Sequence, residues 1–403
     1  MIKTIVILAA MDTKWEEAEF LKKEIERRGF RALLLDVGMK GQPGISADIS
    51  RTDVVNASGH DMKAFMVQGG NDRERLMSIM VNGAIKKLKD LISTSEVDGV
   101  VCVGGITGTR MGTSIMKSLP FGMPKVAVSS TASLKGFSSR YIGTQDITLI
   151  HSVVEFGPND LLRNVLARAA GAVCGMVEGA EYYPIPAQGM KHLIAMTTWG
   201  PSEVCGTSVR QNLEAKGYQV VSFPSNGTGD RAMEEIIERQ GVFEAVIELA
   251  PGGIGEELLG FTRAAGASRL EAAGKRGILQ IIAPSGVNYG SPLKSKYKPE
   301  YESRKKHAYD ALRTFIRLSH EELAMVAQVM AKKLNQSAGE VKVLIPLGGW
   351  SSIDRRGTDF YDGEADKVFV NELRLHLKKD IELKMIDADL NTVEFAQAIS
   401  NFF

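Results

Sequence analysis

Strand-like apolar runs alternate with helix-like segments along almost the whole chain, and this alternation restricts the fold more than any other feature. Residues 5–9 predict a strand, residues 14–28 a helix that Gly29 ends, and residues 31–35 the next strand. Further strands are predicted at residues 99–103, 125–128, 148–151, 192–196, 219–223, 244–250, 278–283, 341–346 and 382–386. Further helices are predicted at residues 160–177, 201–216, 319–334, 365–378 and 392–402. The pattern predicts an α/β protein with two Rossmann-like domains, whose mainly parallel sheets carry helices on both faces.

The length of 403 residues exceeds what one ordinary hydrophobic core supports, so two domains are expected. Residues 178–190 contain Pro184 and Pro186 and show no helical or strand period, which predicts a linker. The expected domains are residues 1–183, which would bind a nucleotide, and residues 190–403, which would hold a small-molecule site.

Composition excludes several classes of protein. A net charge of +1 gives no field suited to nucleic acid or an acidic membrane surface. No apolar run is long enough to span a membrane, and the N-terminus is charged too early for a signal peptide. The three cysteines form no Cys-x-x-Cys pair, so neither a disulfide framework nor a structural zinc site is expected. These features predict a cytoplasmic protein.

A glycine-rich turn follows the strand at residues 99–103 and precedes a helical pattern. Glycine lets the backbone approach a ligand closely, and a helix start offers free N–H groups to an anion. The spacing matches neither G-x-x-x-x-G-K-[ST] nor G-x-G-x-x-G. Phosphate binding and simple close packing of strand against helix are both open explanations at this point.

Ligands of open α/β sheets bind beyond the carboxyl ends of the strands, so the polar residues at those ends are the candidates. In the first half the candidate phosphate-binding residues are Asp12, Thr13, Lys14, Gly104, Gly105, Thr107, Gly108, Thr109, Arg110, Ser129 and Ser130. The alternative is that Asp12 or Thr13 caps a helix and that the serine hydroxyls satisfy the local backbone.

In the second half, five strand ends lead into glycine-rich polar turns. Asp230, Glu256 and Asp354 are the acid–base candidates there, although Asp230 is equally suited to capping a helix. The substrate-binding candidates are Arg231, Asn288 and Arg313. Residues 284–318 predict a long loop of functional or mobile character.

Metal-binding signals are weak. The six histidines have no ligand-like spacing, so no protein-only metal site is predicted. Mg²⁺ needs only one or two carboxylates beside nucleotide phosphates, and sequence does not select them.

Several of these segments together resemble the Tm-1-like family, UPF0261. The matching segments are residues 11–14, 104–109, 129–133, 141–147, 226–229, 287–290, 313–314, 353–354 and 360–362. The resemblance implies two α/β domains, binding of ATP with Mg²⁺, and a homodimer, but no assigned reaction. The chain departs from the family at residues 224–230 and 387–389, where many members carry histidines. If those histidines serve acid–base chemistry in the family, this chain either lacks that reaction or acts on a different substrate.

Three hypotheses for the function follow. The first is an ATP-binding protein with the phosphates at residues 104–109. The second is a metabolic enzyme that acts on a phosphorylated or carboxylated small molecule between the two halves. The third is a dimeric scaffold for another protein.

Overall fold

The computed structural model describes residues 2–63, 65, 72–155, 157, 159–182, 192–311 and 313–403. They form two compact units, one within Met1–Ile185 and the other within Pro186–Phe403. Each unit is built on a parallel sheet flanked by helices, which confirms the predicted α/β class with two Rossmann-like domains.

The first unit contains a five-stranded parallel sheet in the order β2-β1-β3-β4-β5. Its strands are β1 (Thr4–Ala9), β2 (Arg31–Asp36), β3 (Gly99–Gly104), β4 (Lys125–Ser129) and β5 (Thr148–His151). Its helices, among the described residues, are α1 (Trp15–Glu26), α2 (Arg51–Ala57), α3 (Arg73–Ser93), α4 (Ile106–Met116), α5 (Ser138–Ile142) and α6 (Asp160–Tyr182).

Alternate residues of β1 show how this sheet is covered on both faces. Val6 and Leu8 pack into a core that α2, α3 and α4 complete. Ile5 and Ile7 pack into a second core that α1 and α6 complete. All four side chains are buried, and the strand is a continuous apolar run. This is expected for a strand of a parallel sheet that is covered on both faces.

The second unit has a six-stranded parallel sheet in the order β16-β13-β9-β8-β6-β7, with two smaller antiparallel sheets. The parallel strands are β6 (Leu193–Thr198), β7 (Gln219–Pro224), β8 (Ala245–Glu248), β9 (Leu279–Ile282), β13 (Val341–Pro346) and β16 (Glu382–Ile386). The antiparallel strands are β10 (Tyr289–Gly290), β11 (Lys306–Ala308), β12 (Thr314–Arg317), β14 (Gly349–Ser351) and β15 (Asp354–Arg355). The helices are α7 (Glu203–Glu214), α8 (Thr228–Gln240), α9 (Gly253–Leu259), α10 (Ala272–Arg276), α11 (His320–Leu334), α12 (Gly363–His376) and α13 (Val393–Ser400).

Two expectations need correction. Residues 284–318 do not form one long loop, because they contain the three short strands β10 to β12. The helix predicted to end at residue 177 continues to Tyr182, so the start of the expected linker is helical. The rest of that linker, residues 183–190, lies outside the described residues.

The two parallel sheets share one order of strands. In each sheet, the first strand lies between the second and the third. The chain therefore adds its second strand on one side of the first strand and its third strand on the other side. Ligands of such sheets bind at this switch point, beyond the carboxyl ends of the strands. The switch point lies between β1 and β3 in the first unit, and between β6 and β8 in the second.

The cysteines Cys102, Cys174 and Cys205 are buried and unpaired. Among the described helices, none is long and apolar enough to cross a bilayer.

Candidate functional site

A cleft of about 630 Å³ lies at the switch point of the first unit. It lies at the carboxyl ends of β1, β3 and β4 and beside the first turn of α4. Eight of the predicted phosphate-binding residues line it: Asp12, Thr13, Lys14, Gly104, Gly105, Thr107, Gly108 and Ser130. The structure therefore brings together residues of three separate sequence segments, each of which follows a strand.

The N-terminus of α4 opens at this cleft. Gly105 is the N-cap residue, and it has no side chain that could cap the helix. The first bond into the helix runs from the Thr109 N–H to the Gly105 carbonyl oxygen at 2.8 Å. The backbone N–H groups of Ile106, Thr107 and Gly108 therefore precede the intrahelical ladder, where they can donate to an anion.

The glycines of this turn serve two different purposes. A Cβ on Gly104 would lie 2.7 Å from the Gly108 Cα, so Gly104 is required for the close contact of strand and helix. A Cβ on Gly105 would meet nothing nearer than the Ser130 hydroxyl at 3.8 Å, and one on Gly108 nothing nearer than the Val103 carbonyl oxygen at 3.5 Å. Packing alone therefore explains Gly104 but not Gly105 or Gly108.

Three predicted residues do not line the cleft. The Thr109 hydroxyl is buried, 2.9 Å from the Gly104 carbonyl oxygen and 2.8 Å from the Ser129 hydroxyl. It therefore stabilises the turn without facing the cleft. Ser129 is also buried. The exposed Arg110 makes a bidentate ion pair with Glu74, at 2.9 and 3.0 Å.

Sequence reasoning missed two cations of the cleft, Arg73 and Lys40. Arg73 is the first residue of α3, and its guanidinium donates to the Thr107 hydroxyl. The signal that could have revealed it is Asp72, the N-cap of α3, which accepts the Arg75 N–H at 3.0 Å. With Lys14, these side chains give the cleft three cations against the two carboxylates of Asp12 and Glu155.

Asp12 does not cap α1, because Lys14 holds the N-cap position. Its carboxylate instead accepts the N–H groups of Lys40 and Gly41, at 3.0 and 3.1 Å. Arg51 donates to the Gly41 carbonyl oxygen at 2.9 Å, and its guanidinium lies 3.7 Å from Asp12. Asp12 thus fixes the segment after β2 against the segment after β1.

Aromatic side chains fill the corresponding switch point of the second unit. The Trp199 ring stacks on Tyr289 with centroids 5.5 Å apart, and its indole N–H donates to the Ser285 hydroxyl at 2.9 Å. Arg263 lies over the same indole, 4.4 Å from its centroid. A Cβ on Gly252 would lie 2.2 Å from the Gly286 carbonyl oxygen, so these glycine turns pack against one another.

The three acid–base candidates are all buried and already bonded. Asp230 accepts the Gly227 N–H at 2.7 Å and the Ser225 hydroxyl at 3.0 Å. Glu256 accepts the Arg263 guanidinium at 2.7 Å and several further donors. Asp354 accepts Arg317 at 2.8 Å, and burial raises its pKa. The structure places the three in separate networks.

The substrate-binding candidates are also dispersed. Arg231 is exposed and donates to the Gly227 carbonyl oxygen at 3.0 Å. Asn288 is buried and donates to Asp354 at 2.6 Å. Arg313 is exposed and donates to Asp310, which lies four residues before the first residue of β12. Across the described parts of the chain, no group of three or more metal-ligating side chains occurs.

The fold and the cleft define the class first: two consecutive doubly wound α/β units, of which the first has an open switch-point cleft. Two family models match the chain, one in each half. The "Uncharacterised protein family (UPF0261) N-terminal domain" matches residues 3–182, and the corresponding C-terminal domain matches residues 191–403. The chain belongs to the UPF0261 family.

Relatives cover most of the chain. A UPF0261 protein of Clostridium tetani is 34% identical over 99% of this chain and 98% of its own length. A UPF0261 protein of Brucella suis is 32% identical over 97% of this chain and 93% of its own length. The ToMV resistance protein Tm-1(GCR237) of Solanum lycopersicum is 33% identical over 76% of this chain, which corresponds to 41% of that protein.

Proposed function

We propose that the first unit binds ATP with Mg²⁺ in its switch-point cleft, with the phosphates at the turn from Gly104 to Thr109. The observation that carries this proposal is the open N-terminus of α4 within a cleft that also contains Lys14 and Arg73. Free N–H groups, the positive end of the helix dipole and two cations all favour a polyanion at the same place.

The cleft also suits the remainder of a nucleotide. Its volume of about 630 Å³ is within the range of small-molecule sites. Val37, Met39 and Met111 contribute an apolar wall. Ile106 is 44% exposed at the first position of α4 and lines the same cleft, so it offers apolar surface to a base or ribose.

The residues present also fit a magnesium ion. Glu155 is a carboxylate of the cleft wall, 3.5 Å from the Ser130 hydroxyl, and Thr131 adds another oxygen. One carboxylate with phosphate oxygens and water satisfies Mg²⁺. Glu155 would hold the ion, which when bound would neutralise phosphate charge. Asp12 is the second carboxylate of the cleft, and it accepts two backbone N–H groups.

Calorimetric titration of the full chain with ATP, ADP and GTP, with and without Mg²⁺, tests the proposal. We expect saturable binding of ATP that Mg²⁺ strengthens, and at least tenfold weaker binding by Gly108→Val. The matched control is Gly175→Val, since Gly175 is also helical and a Cβ there meets nothing within 4 Å. Absence of ATP binding, or equal affinity in Gly108→Val, would refute the proposal.

The same proposal includes a homodimer, because the family resemblance implies one. Light scattering at micromolar concentration tests this part. A mass of about 88 kDa, twice the 43.8 kDa of the chain, is expected, and a monomer mass would refute it.

A further inference from the structure

A second cavity of about 580 Å³ lies in the second unit, between the carboxyl end of β13 and helix α12. One face of α12 forms a wall of it, because Gly363, Lys367, Val370, Asn371 and Arg374 recur at helical spacing. This cavity is distant in sequence from all the candidate residues of the nucleotide cleft, and it belongs to a unit with its own core.

Two guanidinium groups of this cavity lack a carboxylate. Among the described residues, neither Arg356 nor Arg374 lies within 4.0 Å of an acidic side chain. Arg356 is held by a hydrogen bond to the Leu347 carbonyl oxygen at 3.2 Å. The other two cations are paired, Lys367 with Glu364 at 2.7 Å and Lys305 with Asp362 at 4.0 Å.

Asp366 adds a carboxyl group to the same cavity. One of its oxygens, Oδ1, accepts Asn288 at 2.7 Å and the Arg317 guanidinium. Its other oxygen accepts no hydrogen bond from the described part of the chain. Next to it, Asn288 Oδ1 and Arg317 Nε are buried without a hydrogen-bond partner among those residues. Asn288 and Arg317 do not themselves line the cavity, so Asp366 is the member of this cluster that a ligand there would contact.

We propose that this cavity is a second ligand site, which binds a small organic anion through Arg356 and Arg374 while Asp366 contacts its polar end. Guanidinium groups pair with carboxylate and phosphate groups in a bidentate manner, so the ligand carries one of these groups. Trp350, Val370 and Met385 supply apolar surface for its carbon skeleton. Burial raises the pKa of Asp366 to about 7, so this carboxyl group can donate a hydrogen bond to an anion near neutral pH.

Calorimetry on the full chain, with glycerol 3-phosphate and succinate as probes, tests the site and separates the two kinds of anion. We expect one of the probes to bind with one-to-one stoichiometry, and to bind at least tenfold more weakly to Arg356→Gln and to Arg374→Gln. The matched control is Arg210→Gln, an exposed arginine of α7 that does not line the cavity.

Gly108→Val serves as a second control, because it disturbs the nucleotide cleft only. Probe binding that persists in Gly108→Val and Arg210→Gln but weakens in both arginine variants supports the second site. The inference is overturned if neither probe binds, if the two arginine variants bind normally, or if Gly108→Val abolishes probe binding.

Discussion

The carboxylate of Asp230 accepts the backbone N–H of Gly227 at 2.7 Å, and this bond begins helix α8. The same carboxylate lies 3.4 Å from the buried guanidinium of Arg269. Asp230→Ala therefore removes the acceptor of the N–H of the N-cap residue Gly227 and one of the carboxylates around a buried charge. We expect a loss of about 2–3 kcal/mol in the free energy of unfolding.

Urea unfolding of the full chain measures this loss, with the exposed Asp359→Ala as the control. Nucleotide affinity should not change, because Asp230 lies in the other unit. A variant of unchanged stability would show that the cap and the ion pair contribute nothing.

Of the two neighbouring glycines at the carboxyl end of β3, only Gly104 should cause a loss of stability when it is replaced by alanine. Gly104→Ala places a Cβ 2.7 Å from backbone, so we expect a loss of about 1–3 kcal/mol from overpacking. Gly105→Ala meets only the Ser130 hydroxyl at 3.8 Å, so its stability should stay within about 0.5 kcal/mol of the parent. Thermal and urea unfolding compare the pair, and equal losses would contradict the assignment.

Arg73 and Arg110 form a matched pair for nucleotide binding. Arg73 lines the cleft and contacts Thr107, whereas Arg110 pairs with Glu74 outside it. We expect Arg73→Ala to weaken ATP binding about tenfold, equivalent to one charge-assisted contact of about 1.4 kcal/mol. Arg110→Ala should leave the affinity within about twofold. Titration calorimetry decides, and the reverse order of effects would place the phosphates elsewhere.

The titration of Asp366 should make the free energy of unfolding depend on pH. Burial raises the pKa of this carboxyl to about 7, and the nearby Arg317 opposes that rise. In the unfolded chain the group has a pKa of about 3.9. Below that pH both states hold the proton. As the pH rises towards 7, the unfolded state releases its proton first, so the free energy of unfolding falls, by an amount on the order of a few kcal/mol.

Asp366→Asn removes this contribution. Denaturant unfolding of parent and variant at pH 4.5 and pH 7 measures it, and the variant should gain stability relative to the parent at the higher pH. Parallel pH curves for the two proteins would show that Asp366 does not titrate between these limits.

The central strands of both parallel sheets, such as β1, β3 and β8, could be predicted from sequence because each is a buried apolar run with a turn at its end. The strands β10 to β12 could not, since they have only two to four residues each and too few for a period to appear. Their position is set by distant packing instead, such as that of Tyr289 and Phe315 with Trp199. Helix α3 was missed as well, although Asp72 marks its start.

The candidate site divides in the same way. The rule that ligands bind at strand ends selected Lys14, Gly105 and Ser130. This rule needs only the positions of the strands along the chain, which can be predicted from sequence. It also selected Asp230 and Glu256, which the structure shows inside ion-pair networks with Arg269 and Arg263. Sequence does not tell a buried carboxylate with an arginine partner from an open one, since the partner is fixed by tertiary packing.

The buried cysteines allow the opening of each unit to be measured separately. Cys102 lies in β3 of the first unit and Cys205 in α7 of the second, and burial raises the pKa of each thiol to about 12. Only the thiolate is nucleophilic, so neither thiol reacts with an alkylating reagent until its surroundings open. The rate at which iodoacetamide labels Cys102 therefore reports opening of the first unit, and the rate at Cys205 reports opening of the second, within one unmodified molecule.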